Sequence, residues 1–417
     1  MNAMVQNDVT DTLRSLKRAS RRNRLVAAGL IAPLAFFLLF IFMVPVVMLL
    51  KRAVENPEVV NALPQTSAAL ERWSGKGDPP DEAFAALVRD LEADKGDKIG
   101  VAAGRLNRGK SGFRSLLLKS VEAMPLTKTG EQISPSEYRQ RLTAVDARWS
   151  DVEYWQEIAK NSARYTPFYL LAALDLTTDE TGKIVSVEDG ASNYRDLFGR
   201  TFMISAIVTL AALLIGYPLA YWISQMSPRK ANLVMIFVLL PFWTSILVRI
   251  SAWIVLLQNQ GLINKSLMAL NIVDKPLDLL FNRAGVLISM THILLPFMVL
   301  PLYSVMHAVP PTYQRAAISL GSNPFSAFWK VYVPQTLPGI GAGSLLVFIL
   351  ALGYYITPAL LGGPGDQMIS YYVAYFTNVS VNWGLACALG ALLLAATLVL
   401  FAISRRIALV KQKASSF

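Results

Sequence analysis

The sequence predicts an all-α, polytopic membrane protein with six transmembrane helices and a large, mainly helical extracytoplasmic insertion between the first two. Three observations predict it. Hydrophobic residues make up 54% of the 417 and charged residues only 16%, and mean hydropathy is +0.42, which is too apolar for a surface that faces only water. Six stretches stay apolar over the roughly 20 residues that a bilayer crossing needs. The charge, +11 overall, is unevenly shared. Most acidic residues lie between Arg52 and Arg200, and elsewhere only Asp8, Asp11, Asp274, Asp278 and Asp366 are acidic.

The elements follow in order. Residues 1–24 form a basic tail in which Arg18, Arg21, Arg22 and Arg24 precede the first span, 25–50. That span is too long for a signal peptide and lacks a small-residue cleavage site before Lys51, so it reads as a retained anchor. The other spans are expected near 201–224, 231–257, 284–308, 339–361 and 383–404. With the amino terminus in the cytoplasm, Arg14 to Arg24, Arg229, Lys230, Arg315, Lys330 and Arg405 to Lys413 all fall inside. That is the positive-inside pattern, with both termini cytoplasmic. The same pattern accounts for the basic excess and argues against nucleic-acid binding.

Residues 51–198 then form the insertion, and 199–405 a core holding spans two to six with a cytoplasmic loop at 310–336. A second cytoplasmic tail covers 406–417. In the insertion, Ser134-Pro135-Ser136-Glu137 offers a helix start, followed at helical spacing by Tyr138, Leu142, Val145 and Trp149. Asp78-Pro79-Pro80-Asp81 opens another helix with a Phe84, Leu87, Val88 and Leu91 stripe. Loops are expected at 96–112 and 177–190. Gly104 to Ser111 matches the phosphate-loop pattern G-x4-G-K-S. Its outside location, the poor strand before it and the helical spacing of Leu170, Leu171 and Leu174 argue for a basic surface loop instead. The one cysteine, Cys387, sits in an apolar stretch, and neither His292 nor His307 has ligand-type neighbours, so no metal is expected.

The 310–336 loop carries the most informative pattern. Pro310 and Pro311 end the preceding helix, Thr312 can cap a short new one, and Gly321 can end it in a left-handed conformation. Ala316, Ala317 and Leu320 give that helix a small apolar face, and Pro324, Pro334 and Pro338 are expected to break the path before the fifth span. By physics alone, an amphipathic connector and a docking element fit equally well.

Here the sequence resembles the inner-membrane permeases of binding-protein-dependent ABC importers, in particular the polyamine-type branch. Their cytoplasmic signature is E-A-A-x3-G-x9-I-x-L-P. Ala316, Ala317, Gly321 and Pro334 stand at its places, with Val331 and Val333 for the aliphatics and Arg315 in place of the glutamate. Gly216-Tyr217-Pro218-Leu219-Ala220-Tyr221, Pro241-Phe242-Trp243-Thr244 leading to Val248-Arg249, Gly261-Leu262-Ile263-Asn264 and Thr357 to Gly363 resemble the same branch. The likeness spans 25–50 and 192–405 and leaves the insertion unaccounted for.

The resemblance implies a type I importer permease without catalysis or cofactor of its own. ATP would be used by a cytoplasmic ABC ATPase dimer coupled through Arg315, Ala316, Ala317, Leu320, Gly321 and Pro334. The other partners implied are a second permease subunit, of a different chain, a periplasmic solute-binding protein and membrane lipid. Trp243, Thr244, Arg249, Tyr354 and Tyr355 are the candidate pathway residues. Arg249 is the only charge well inside a span, which fits either a pathway contact or snorkelling to the outer interface. His292 reads as a core histidine. Gly339, Gly341, Gly343, Gly384, Ala386, Ala388 and Gly390 suit close helix packing, static or sliding. Tyr371, Tyr372 and Tyr375 fit a path or an interfacial belt. The branch points to a polyamine-like solute. The lack of Asp or Glu in any span leaves an opine, amino-acid-like or anionic solute open. A secondary transporter or a ligand-sensing receptor is the rival class.

Overall fold

The computed structural model describes residues 2–94, 97–126, 133–178, 183–187 and 194–414, with side chains described for those between 26 and 406. The first helix, α1 (Asn2–Arg52), runs unbroken through the basic tail and the first span, with Pro33 and Pro45 inside it. It forms a unit of its own, and the second unit begins at Ala53. Its large apolar side chains, Leu30, Phe36 and Phe42 among them, are exposed along its whole apolar length, as suits lipid.

The second unit opens with short helices: α2 (Pro57–Ala62), α3 (Pro64–Leu70), α4 (Asp81–Ala93), α5 (Asp97–Gly109), α6 (Phe113–Glu122), α7 (Pro135–Val145), α8 (Val152–Asn161) and α9 (Phe168–Ala172). Proline at the first position of α2, α3 and α7 removes an N–H that would lack a partner there. Asp151 caps α8 by accepting from the Glu153 amide. The α4 stripe Phe84, Leu87, Val88 and Leu91 is fully buried, as its spacing predicts. It packs in one core with Trp149 and Trp155. Both indole N–H groups are satisfied at 2.9 Å, Trp149 donating to Ser120 Oγ and Trp155 to the Trp149 carbonyl.

Three expectations fail in this region. The stretch expected as a loop at 96–112 is largely α5, because Ile99, Ala102, Ala103 and Leu106 bury one face of it. The phosphate-loop match therefore lies mostly on a helix, where backbone N–H groups are used internally and cannot cradle a phosphate. The loop expected at 177–190 contains an antiparallel hairpin, β1 (Leu176–Thr178) with β2 (Ile184–Ser186); residues 179–182 and 188–190 lie outside the described ones. Finally, α7 stops at Val145, and Trp149 is delivered to the core by a 3-10 turn that Asp146 caps.

The remaining helices are α10 (Tyr194–Ser224), α11 (Pro228–Leu239), α12 (Ile246–Leu257), α13 (Leu262–Ala269), α14 (Arg283–Ala308), α15 (Pro311–Ser319), α16 (Pro324–Ala327), α17 (Val333–Leu352), α18 (Ile356–Leu361), α19 (Ile369–Asn378) and α20 (Trp383–Ala414). With the apolar part of α1, six segments among the described residues are long and apolar enough to cross a membrane. Helices α10, α14 and α17 pack on one another. Glycines permit the approach: a Cβ on Gly343 of α17 would stand 2.9 Å from Met298 Sδ, and one on Gly216 of α10 would stand 3.0 Å from Met298 Cγ.

The insertion is tied to this core. Asp175 accepts from the backbone N–H groups of Tyr194 and Arg195 at 3.0 and 2.8 Å and so caps α10. The Tyr169 ring lies flat against Gly384 at the start of α20, where an added Cβ would overlap it. Strand-like bonds join its first residues to a later segment, Thr166 N–H to the Val54 carbonyl and Asn56 N–H to the Arg164 carbonyl, both at 2.8 Å.

Candidate functional site

The 310–336 loop forms an exposed foot on an aromatic base. After α14 ends at Ala308, Pro310 is the N-cap of α15 and Pro311 its first residue; Thr312 is inside the helix and does not cap it. No residue of α15 is buried. Its end is a Schellman motif: Gly321 N–H donates to the Ile318 carbonyl at 2.9 Å and Ser322 N–H to the Ala317 carbonyl at 3.0 Å. Gly321 has φ +91°, the left-handed conformation expected of it. Leu320 beside it is 89% exposed.

The prolines that follow do not break the chain. Pro324 starts α16, whose cap is Asn323 accepting from Phe325 N–H at 2.9 Å. The helix then widens into one π turn, Phe328–Tyr332, and continues as α17 with Pro334 in its first turn and Pro338 inside. A wider turn absorbs a missing donor locally, and the Gln335 side chain donates to the Val331 carbonyl at 2.7 Å. Tyr221 of α10 meets Phe328 and Tyr332 of the π turn edge-on, at centroid distances of 5.3 and 5.2 Å. The Tyr217 hydroxyl lies 3.0 Å from Thr336 Oγ1. Aromatic edge contacts and a hydrogen bond thus fix the foot to α10 and α17.

The second candidate region surrounds two breaks in the membrane helices. The span expected as continuous at 231–257 is interrupted: α11 ends at Leu239, a 3-10 turn covers Leu240–Trp243, and Thr244 is extended before α12. Thr244 Oγ1 donates to the Pro241 carbonyl at 2.8 Å, closing the turn. The fifth span is likewise interrupted between Leu352 and Ile356, so 339–361 is not one helix. The helices that follow the two breaks, α12 and α18, touch. Irregular backbone at membrane depth persists where protein or water, not lipid, surrounds it.

Arg249 lies on α12 just past the first break, and its Nε is buried without a hydrogen-bond partner among the described residues. Trp253, one turn along α12, points its indole N–H at His292 Nδ1, 3.4 Å away. His292 is exposed, contrary to the expectation of a core histidine. The structure thus places Arg249 on α12 one turn from the Trp253–His292 contact, with Tyr354 in the second break. It leaves Trp243 apart, 89% exposed, and Tyr355 partly exposed beside the break. Trp253 went unnoticed in the sequence, although its i, i+4 spacing from Arg249 puts both on one helix face. No cluster of metal-type ligands occurs among the described residues.

Comparison with known proteins gives these elements relatives. Residues 191–409 match the family model described as binding-protein-dependent transport system inner membrane component. The chain is 34% identical over 243 residues to the spermidine/putrescine transport system permease protein PotB of Haemophilus influenzae, covering 56% of this chain and 85% of that one. It is 33% identical over 187 residues to PotB of Escherichia coli, covering 45% and 68%. The inner membrane ABC transporter permease protein YdcU of Escherichia coli is 32% identical over 188 residues, 42% of this chain and 59% of its own. A solved bacterial alginate ABC transporter in complex with an alginate-bound periplasmic protein aligns at 17% identity over 52% of this chain and 79% of that one, with a TM-score of 0.43.

Proposed function

Because this chain belongs to the binding-protein-dependent transport system inner membrane components, as the permease subunit of an ABC importer, we propose that it imports a polyamine-like solute and couples transport to an ATPase through α15. The exposed foot supports the coupling most directly: a capped helix with no buried residue, rooted by Tyr217 and Tyr221 in the packed helices. In this reading ATP-driven closure of an ATPase dimer pushes Arg315, Ala316, Ala317 and Leu320. Gly321 holds the turn, and Pro334 and the π turn pass the motion to α17 and α10. The foot faces the cytoplasm with both termini, and 51–198 lies outside, where a periplasmic binding protein delivers the solute. A second permease chain completes the pathway.

Within that pathway, the breaks at Trp243–Thr244 and Tyr354–Tyr355 would let α12 and α18 shift, with Arg249 between them. The relatives named for spermidine and putrescine support the solute class. A second reading, an amino-acid-like or anionic solute, draws support from Arg249, because the six apolar spans contain no Asp or Glu except Asp196 to meet a polycation. Reconstitution with the ATPase and binding protein tests both. ATP-dependent uptake of labelled putrescine or spermidine, uncompeted by amino acids or opines, is expected. Uptake that persists without ATP would end the importer reading, and competition by amino acids alone would favour the second solute class.

A further inference from the structure

The foot is cationic, and no ion pair among the described residues balances it. Between Asp278 and Asp366 the sequence contains no Asp or Glu. Arg315 is exposed in the middle of α15, and no ion pair to it occurs among the described residues. Exposed apolar side chains stand nearby in the chain, Ile318, Leu320, Phe325 and Trp329, together with the polar Thr312, Ser319 and Asn323 and a second cation, Lys330. Cations that flank spans, such as Arg229, Lys230, Arg405 and Arg406, are accounted for by topology. Arg315 shares that topological side, but it stands on α15, a helix between two spans with no buried residue. A partner that covers α15 must either leave this guanidinium wet or meet it with an acceptor. Covering it unpaired is costly, whereas a carboxylate can take it in a two-pronged hydrogen bond.

We infer that the ATPase cleft receiving α15 presents a carboxylate to Arg315 beside an apolar floor for Leu320 and Phe325, and that this pairing selects the ATPase. The inference rests on the docking role proposed above. In the signature that the loop resembles, a glutamate stands where Arg315 stands. A cleft shaped for that glutamate would meet the wrong charge here, so the substitution excludes such ATPases as well as recruiting its own.

The test uses the assembled permease pair in lipid nanodiscs, with its ATPase added and binding followed at increasing KCl. Wild-type affinity should fall with salt. Arg315→Gln should bind about tenfold more weakly with a shallower salt dependence, and Arg315→Glu more weakly still. Arg315→Lys should retain part of the affinity, which separates charge from misfolding. Unchanged or tighter binding by Arg315→Glu overturns the inference. So does a result in which Arg315→Glu alters only the difference between phosphatidylglycerol and phosphatidylcholine discs, since Arg315 would then be a lipid contact. Leu320→Asp distinguishes the premise: if it binds like wild type, docking through α15 is itself wrong. If it abolishes binding while Arg315→Glu binds as the wild type does, docking stands and the charge pairing falls.

Discussion

Two charged residues show how differently water and membrane treat a side chain. Arg249 sits among apolar spans with a buried Nε and no acid to pair with among the described residues. A charge kept in such a place at a cost of a few kcal/mol or more points to a use for it. Arg249→Gln should reduce uptake at least about tenfold while the ATPase still co-purifies; undiminished uptake would mean that Arg249 only snorkels. Asp146, in the insertion, is the opposite case. Its carboxylate accepts from the Arg148 guanidinium at 2.9 Å and from Lys119 at 3.2 Å. The Arg148 hydrogen bond, outweighing burial, holds its pKa well below the usual carboxylate range. A depressed folded pKa means stability that is fully present above the unfolded value, about 3.9, and lost as pH falls towards the folded one. Asp146→Asn should therefore lower the thermal midpoint of the insertion at pH 7, and its midpoint should change less than the wild type's below about pH 4. Tryptophan fluorescence reads this, since Trp149 and Trp155 lie in that core. Equal acid sensitivity in both proteins would contradict it.

At the scale of elements, the end of α15 is a case where backbone conformation can be tested apart from packing. A Cβ at Gly321 would meet nothing within 4 Å, so only its φ of +91° resists substitution. Gly321→Val should cost about 1–2 kcal/mol in the Schellman turn and reduce uptake more than ATP hydrolysis, because the foot transmits less of the motion. Gly321→Asn, which tolerates left-handed φ, should stay close to wild type; if both variants behave alike, the turn is not under conformational control. The bounds of this helix were legible in the sequence because Pro311 and Gly321 act locally, although Pro310 and not Thr312 is its cap. The broken third span was not. Pro218, Pro296 and Pro301 lie inside intact helices, so Pro241 alone did not announce a break. Likewise Gly100, Gly104 and Gly109 argued against α5, yet burial of Ile99 and Leu106 outweighed their poor propensity. The approach of α12 to α18 is likewise a tertiary fact that no spacing along the chain contains.

Across the whole second unit, the insertion is fastened to the permease core through Asp175 on α10 and Tyr169 on α20. Its first residues, Val54–Asn56, are bonded to Arg164–Thr166, which lead directly to Tyr169 and Asp175. Arg108 adds a contact to the Ser380 carbonyl at 3.5 Å. A load applied to the insertion would thus reach the starts of the second and sixth spans together, without passing through a flexible linker among the described residues. Gly384 is the position where this can be severed at one end only. Leucine there would displace the Tyr169 ring, an overpacking cost of about 1–3 kcal/mol, while the Asp175 cap on α10 stays in place. Gly384→Leu should leave basal ATP hydrolysis of the assembled transporter intact and lower its stimulation by the loaded binding protein several-fold. Deletion of 57–190 should lower that stimulation further. Full stimulation in both proteins would show that the insertion decorates the channel and transmits nothing to it. Loss in the deletion alone would assign the transmission to Asp175 and α10, with the Tyr169 contact left as packing.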